Sequence, residues 1–203
     1  MGFLNLFKKK ESADDLRNKG VVLYEEKKYK QAAECFTKAM GMGDIGAEMM
    51  LGTMLLGGTG VSQDIGAGIL HIKNAADKDY LPALMSMADF YANGMGVEKD
   101  GVRAFQLMKK AADTGYDEAQ KGLGDFYAHG IGTDENPSMA AYWYQKAVDQ
   151  GNADAQYMLG LMYAAGIGFD PNLEKAVQLW EAAAAQGHED AIKNLTELAE
   201  DMA

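Results

Sequence analysis

The sequence predicts an all-α fold, a right-handed α-solenoid built from stacked antiparallel helix pairs. Three observations lead to this prediction: a constant 36-residue repeat, two apolar stripes of helical period in each repeat, and glycines where helices should end. Neighbouring copies of such a repeat stack and bury a continuous core. Four columns of residues recur at this period: Ala47, Ala83, Ala119, Ala155 and Ala191; Gly58, Gly94, Gly130 and Gly166; Gly60, Gly96, Gly132 and Gly168; Ala75, Ala111, Ala147 and Ala183.

The first helix of each repeat is best seen in the last full copy. Ala155, Leu159 and Tyr163 stand at positions i, i+4 and i+8, which places them on one face of a helix. Gly166 and Gly168 follow, and glycine accepts the left-handed backbone that ends a helix. Each repeat is therefore predicted to hold a first helix that is closed by a Gly-x-Gly loop.

The second helix is predicted from its capping residues and its apolar stripe. Asn172 is expected to be its N-cap, and Asn136, Asp100 and Asp64 hold the same position in earlier repeats. Pro137 stands at the first helical position, where its missing N–H group costs nothing. The stripe comprises Ala176, Leu179, Trp180 and Ala183. Five pairs and a terminal helix give eleven helices in all.

Composition excludes several classes of function. The 203 residues include 30 acidic and 19 basic side chains, for a net charge of -11, which argues against nucleic-acid binding. One cysteine, Cys35, rules out a disulfide framework, and we expect it to be a small buried apolar residue. The three histidines occupy unrelated repeat positions, so we predict no metal site and no cofactor. The apolar runs are too short to span a membrane, and we expect a cytoplasmic protein.

Two known repeat families are similar to parts of the chain. The N-terminal unit resembles the tetratricopeptide repeat at Gly20, Leu23, Tyr29, Ala32, Phe36 and Ala39. The later units resemble the Sel-one-like repeat, with Ala…Leu-Gly-x-x-Tyr-x-x-Gly-x-Gly, an Asp or Asn, a Lys-Ala stretch and a closing Gly. Leu55, Asp79 and Ala88 depart from this pattern. The predicted regions are a flexible segment (1–12), a tetratricopeptide-like pair (13–44), four repeats (45–188) and a capping helix (189–203).

The resemblance implies a tetratricopeptide-like superhelix whose first helices line a concave groove. Two columns of first-helix residues off the apolar stripe are the candidate groove residues. They are Met49, Met85, Lys121 and Tyr157, and Thr53, Asp89, Asp125 and Leu161. This groove changes from Met-rich to charged to aromatic, a mixture that suits a protein or peptide. Tyr157 is the strongest candidate anchor, and its alternative role is packing between adjacent repeats.

The leading hypothesis is a non-enzymatic interaction module, an adaptor or scaffold that binds a peptide or protein segment in this groove. A monomer is favoured, although the sequence leaves the oligomeric state open. One alternative is a β-lactamase-like enzyme, because some Sel-one-like proteins are disulfide-rich and reported to bind or cleave β-lactams. The single cysteine fits that subgroup poorly. Asp89 and Asp125 are at equivalent positions of adjacent first helices, where they form either an acid–base pair or two solvated groove residues. A second alternative is a membrane-proximal regulator that residues 1–10 tether weakly, through four large apolar side chains and three lysines.

Overall fold

The computed structural model describes residues 11–201, which form eleven α-helices and no strand. First helices carry odd numbers and second helices carry even numbers. Pairs such as α3 and α4 or α7 and α8 pack closely, and second helices such as α8 also contact the next first helix. The predicted all-α solenoid of helix pairs is confirmed. The helices are α1 (Ala13–Glu25), α2 (Tyr29–Gly41), α3 (Ile45–Gly57), α4 (Ile65–Ala76), α5 (Leu81–Asn93), α6 (Gly101–Ala112), α7 (Asp117–His129), α8 (Pro137–Val148), α9 (Ala153–Ala165), α10 (Leu173–Ala184) and α11 (Glu189–Asp201).

The chain forms two compact units, and the boundary between them falls within α5, after Met87. The first unit is centred on Phe36, which is fully buried with Ala32, Ala39 and Ala47 around it. The second unit contains one cluster around Tyr144 and Leu159 and another around Trp180. Every alanine of the two repeating alanine columns has no exposed surface, because helices approach most closely where a side chain is only a methyl group.

The helix caps follow the predicted positions. Asp64, Asp100, Asn136 and Asn172 each precede a second helix and accept a hydrogen bond from the backbone N–H three residues later, at 2.9–3.0 Å. Pro137 is the first residue of α8. Ser12 caps α1 through a reciprocal capping box with Asp15, which satisfies two otherwise unpaired N–H groups.

The Gly-x-Gly loops that follow α3 and α7 each lie against the helix pair before them. Gly130 ends α7 in the left-handed conformation, with φ of 63°, and Gly132 follows with φ of 70°. A Cβ atom on Gly132 would collide with the backbone carbonyl of Gly101, the first residue of α6. A Cβ atom on Gly60 would likewise collide with the backbone of Tyr29, the first residue of α2. At Gly60 and Gly132 the second glycine is thus required by a contact with the preceding pair, whereas a Cβ on Gly168 would meet Pro137 at an ordinary 3.4 Å. The sequence analysis did not predict this contact.

Buried amides connect successive pairs of the second unit. The Gln150 side chain donates to Gln120 Oε1 and to the Gly115 carbonyl, both at 2.9 Å. Gln186 repeats this geometry one unit later, with Gln156 Oε1 and the Gly151 carbonyl, again at 2.9 Å. Because Gln120 and Gln156 are buried, these hydrogen bonds satisfy polar atoms that would otherwise destabilise the fold.

In the first unit, a charged pair takes the place of the glutamine pair that connects the later repeats. Glu48 occupies the Gln120 column, and its side chain is only 10% exposed. Lys78 Nζ donates to its Oε2 at 2.7 Å, and Asn74 donates to its Oε1 at 3.2 Å. Burial alone would raise the pKa of Glu48, but the hydrogen bonds from Lys78 and Asn74 and the charges of Lys78 and His71 outweigh it. The pKa of Glu48 is therefore lowered.

Acid should weaken the first unit through this group. A carboxyl whose pKa is lower in the folded chain contributes stability above its unfolded pKa, near 4.5, and loses it as pH falls through the folded value. We expect Glu48→Gln to lower the free energy of unfolding by about 1–2 kcal/mol at pH 7, with a smaller loss near pH 3. Urea unfolding at several pH values measures this, with the exposed Glu25→Gln as control. An unchanged pH dependence in Glu48→Gln would contradict the assignment.

Candidate functional site

The negative charge of the protein resides in the second unit. Residues 88–203 contain 19 Asp and Glu and 8 Lys and Arg, for a net charge of -11. Residues 1–87 contain 11 acidic and 11 basic side chains, which cancel. Because clustered charge of one sign attracts partners of the opposite sign, the second unit is the part of the chain suited to a basic partner.

Three of the candidate groove residues lie in the first unit. Met49 and Met85 are half-buried, and Thr53 is exposed. The Thr53 hydroxyl donates to the Met49 carbonyl at 3.1 Å, so its polar group is already satisfied within α3. These residues offer mainly apolar contact, and the methionines can adapt to differently shaped ligands.

The other candidates include a charged cluster on α5 and α7. Lys121 Nζ lies 2.9 Å from Asp125 Oδ2 along one face of α7. Tyr144 of α8 donates its hydroxyl to Asp125 Oδ1 at 2.7 Å. Burial raises the pKa of Tyr144, and the charge and hydrogen bond of Asp125 raise it further, so the phenol remains a donor. Asp125 therefore has a structural role in addition to its predicted role in the groove.

Asp89 differs from Asp125 in its surroundings. It is exposed to solvent, yet desolvation by surrounding protein raises its pKa. The negative charge of Asp125 raises this pKa further, whereas Lys121 opposes the shift. The Asp89 carboxyl is therefore accessible to water and is also partly desolvated by the protein around it. Desolvation and the neighbouring negative charge disfavour the ionised form of Asp89. Carboxyls whose pKa is shifted in this way are common at functional sites.

Tyr157 has a partner that the sequence analysis did not identify. Its ring stacks on the ring of His188, with centroids 4.6 Å apart and an angle of 28° between the planes. The Tyr157 carbonyl accepts a hydrogen bond from Trp180 Nε1 at 3.3 Å. His188 Nδ1 accepts from the Ala191 N–H at 3.3 Å, near the start of α11. The half-buried Tyr157 ring thus packs toward the terminal helix, which supports the alternative role considered for it.

An apolar pocket of about 260 Å³ opens beside Leu161. Sequence reasoning missed it, because its wall comes from three helices and a loop tip. The sequence did contain one indication of it, an apolar residue between the two loop glycines. Met95 and Ile167 occupy this position, and each is 48% exposed. The wall is formed by Ala128 and His129 of α7, Pro137 and Tyr144 of α8, Met158, Leu161 and Met162 of α9, and Ile167 of the following loop.

Residues 11–201 offer no metal site and no membrane-spanning helix. Within that range, no three His, Cys, Asp or Glu side chains are placed to hold a metal ion, and no helix is long and apolar enough to cross a membrane. Cys35 is 7% exposed, in agreement with its predicted packing role. Residues 1–10, the basis of the membrane hypothesis, lie outside the described part of the chain.

The helix pairs, the glycine loops and the accessible first-helix residues define a class, the helix-pair repeat proteins of the tetratricopeptide type. The family model of the Sel1 repeat matches residues 45–80, 81–116, 117–152 and 153–188. The chain belongs to the Sel1 repeat family, and the predicted resemblance is confirmed. Repeats of this family are generally protein-interaction modules and non-catalytic.

Solved structures extend the comparison. A Sel1 repeat protein from Oxalobacter formigenes is 32% identical, with a TM-score of 0.87, over 96% of this chain and 82% of that one. A protective antigen of uropathogenic Escherichia coli shares the fold at 24% identity and a TM-score of 0.77, over 95% of this chain and 42% of the antigen. The cysteine-rich protein B of Helicobacter pylori is 27% identical, with a TM-score of 0.50, over 64% of this chain and 94% of that one. No curated protein matches the sequence.

Proposed function

We propose that this protein is a non-enzymatic adaptor whose second unit binds a basic peptide or protein segment on the face formed by its first helices. The observation that carries the proposal is the excess of 19 acidic over 8 basic side chains in residues 88–203, with the carboxyl of Asp89 exposed on the first helix α5. A basic group from a partner would favour the ionised form of Asp89, because an opposite charge within a few ångströms stabilises an ionised carboxyl.

The surrounding groups support the same role. Asp125 lies near enough to raise the pKa of Asp89, so two carboxyls share one surface. Lys121 Nζ forms an ion pair with Asp125 Oδ2 at 2.9 Å, whereas its charge only partly offsets the raised pKa of Asp89. The net charge of -11 on residues 88–203 would speed the encounter with a basic partner at low salt.

Asp89→Lys is the cleanest test of this surface. Asp125→Lys is less suitable, because it would leave the buried Tyr144 hydroxyl without its acceptor. We expect Asp89→Lys to reduce binding of the natural partner by at least about tenfold, or ~1.4 kcal/mol. Stability should change by less than about 0.5 kcal/mol, as is usual for surface substitutions. Quantitative affinity capture from the source cells, repeated at two salt concentrations, provides the measurement.

Asp149→Lys is a matched control with the same change in charge. Asp149 is exposed at the end of the second helix α8 and accepts a hydrogen bond from Gln145 at 2.8 Å. A lysine there is compatible with the helix terminus. Equal capture of the same proteins by wild type and both variants would place the binding surface elsewhere on the molecule.

A further inference from the structure

The apolar pocket beside Leu161 is linked directly to the acidic surface. Tyr144 forms part of the pocket wall, and its hydroxyl donates to Asp125 Oδ1 at 2.7 Å. One tyrosine side chain therefore separates the pocket from the Asp125 carboxylate. The charge of Asp125 in turn raises the pKa of Asp89. Apolar and anionic recognition elements thus lie side by side within the second unit.

The size and wall of the pocket suit a single large side chain. Its volume of about 260 Å³ is below the ~300–1,000 Å³ of pockets for drug-sized ligands. Met158 and Met162 form part of the wall, and methionine adapts readily to the shape of what it contacts. Binding anchors commonly occupy such pockets, surrounded by contacts that exclude water.

Ile167 supplies the exposed lip of this pocket. It is 48% exposed at the tip of the loop after α9, although a large apolar side chain gains by burial. The Ile167 N–H donates to the Met162 carbonyl at 2.9 Å, which ties the loop to the end of α9. In an earlier loop, the Met95 N–H makes the corresponding hydrogen bond to the Phe90 carbonyl at 3.0 Å. Met95 is equally exposed, and it does not line the pocket.

We propose that this pocket takes a bulky apolar side chain of a peptide whose adjacent lysines or arginines face Asp89 and Asp125. This inference rests on the proposed function, and it adds the chemical class of the partner: an apolar anchor followed by basic residues. The apolar wall fits the anchor, the two carboxyls fit the cations, and Tyr144 fixes the spacing between the two sites.

The probe is a fluorescent synthetic peptide with the sequence of residues 1–10, Met-Gly-Phe-Leu-Asn-Leu-Phe-Lys-Lys-Lys, which has this composition. Two control peptides replace both phenylalanines by serine or all three lysines by glutamate. Anisotropy titrations use the full-length protein. We expect each control peptide to bind at least about tenfold more weakly than the probe, which corresponds to one unit in log Kd.

Protein variants locate the binding. Ile167→Ser should weaken probe binding at least about fivefold, whereas Met95→Ser, at the matching loop position, should leave it unchanged. Asp89→Asn should weaken the probe and leave its glutamate version unaffected or improved. Equal effects of Ile167→Ser and Met95→Ser would overturn the pocket assignment. So would a probe that binds no better than its controls.

The two proposals fail in distinguishable ways. If Asp89→Lys releases the cellular partner but Ile167→Ser affects neither partner nor probe, the acidic surface stands and the pocket is wrong. If neither variant changes partner capture or probe binding, the proposed function fails as well. Circular dichroism melting of each variant shows that a loss of binding does not come from unfolding.

Discussion

Gly132→Ala should destabilise the second unit more than any other single methyl addition at its loop glycines. The new Cβ would collide with the carbonyl of Gly101, and the backbone of residue 132 would remain left-handed at φ of 70°. The left-handed conformation costs about 1–2 kcal/mol for a residue with a Cβ, and overpacking against rigid backbone adds about 1–3 kcal/mol. We expect a loss of at least ~3 kcal/mol in the free energy of unfolding, measured with urea.

Gly151→Ala separates the two contributions. Gly151 is also left-handed, at φ of 89°, but a Cβ there would meet no atom within 4 Å. This variant should lose only the conformational cost of about 1–2 kcal/mol. If Gly132→Ala and Gly151→Ala were equally destabilised, the contact between the loop and α6 would have no energetic importance.

Tyr144→Ala should cost about 3–5 kcal/mol, the usual loss when a buried aromatic side chain is truncated to alanine. Tyr144 is fully buried, and its ring would lie only 2.6 Å from a Cβ placed on Gly124, so the two helices are closely packed at this point. Tyr144→Phe keeps the ring and removes the hydrogen bond to Asp125. We expect this variant to lose about 1–2 kcal/mol, because Asp125 retains Lys121 as a partner.

Tyr142→Ala is the control on the same helix. Tyr142 is 51% exposed and contacts mainly Trp143 and Lys146, so its truncation should cost about 1 kcal/mol or less. Thermal or urea unfolding of the three variants gives the comparison. A Tyr144→Phe protein as stable as wild type would show that the hydrogen bond to Asp125 contributes nothing to stability. The only role left for Asp125 would then be partner binding.

The candidate site was predictable only in part. Periodicity identified Asp89 and Asp125 as equivalent positions on adjacent first helices, and the charge of Asp125 raises the pKa of Asp89. It did not reveal that Asp125 is held by the buried Tyr144, since their separation of 19 residues matches no repeat column. Tyr157 was recognised as lying off the apolar stripe, but its stacking on His188 depends on where the last turn places that histidine.

What the sequence determined by itself is the repeat, the helices and their ends. These features depend on local physics: the 3.6-residue period of apolar side chains, capping by Asp and Asn, and left-handed glycines. The buried alanine columns could be predicted as well, because they recur at the constant 36-residue period.

Tertiary structure decided the features that distinguish one repeat from the next. Gly132 must be glycine because the backbone of Gly101 lies against it, and Glu48 is buried because Lys78 and Asn74 compensate its charge. The pocket beside Leu161 exists because α7, α8, α9 and the Ile167 loop leave a gap between them. Such contacts join residues whose distance in space depends on the stacking of whole helix pairs, and a period in the sequence carries no information about that distance.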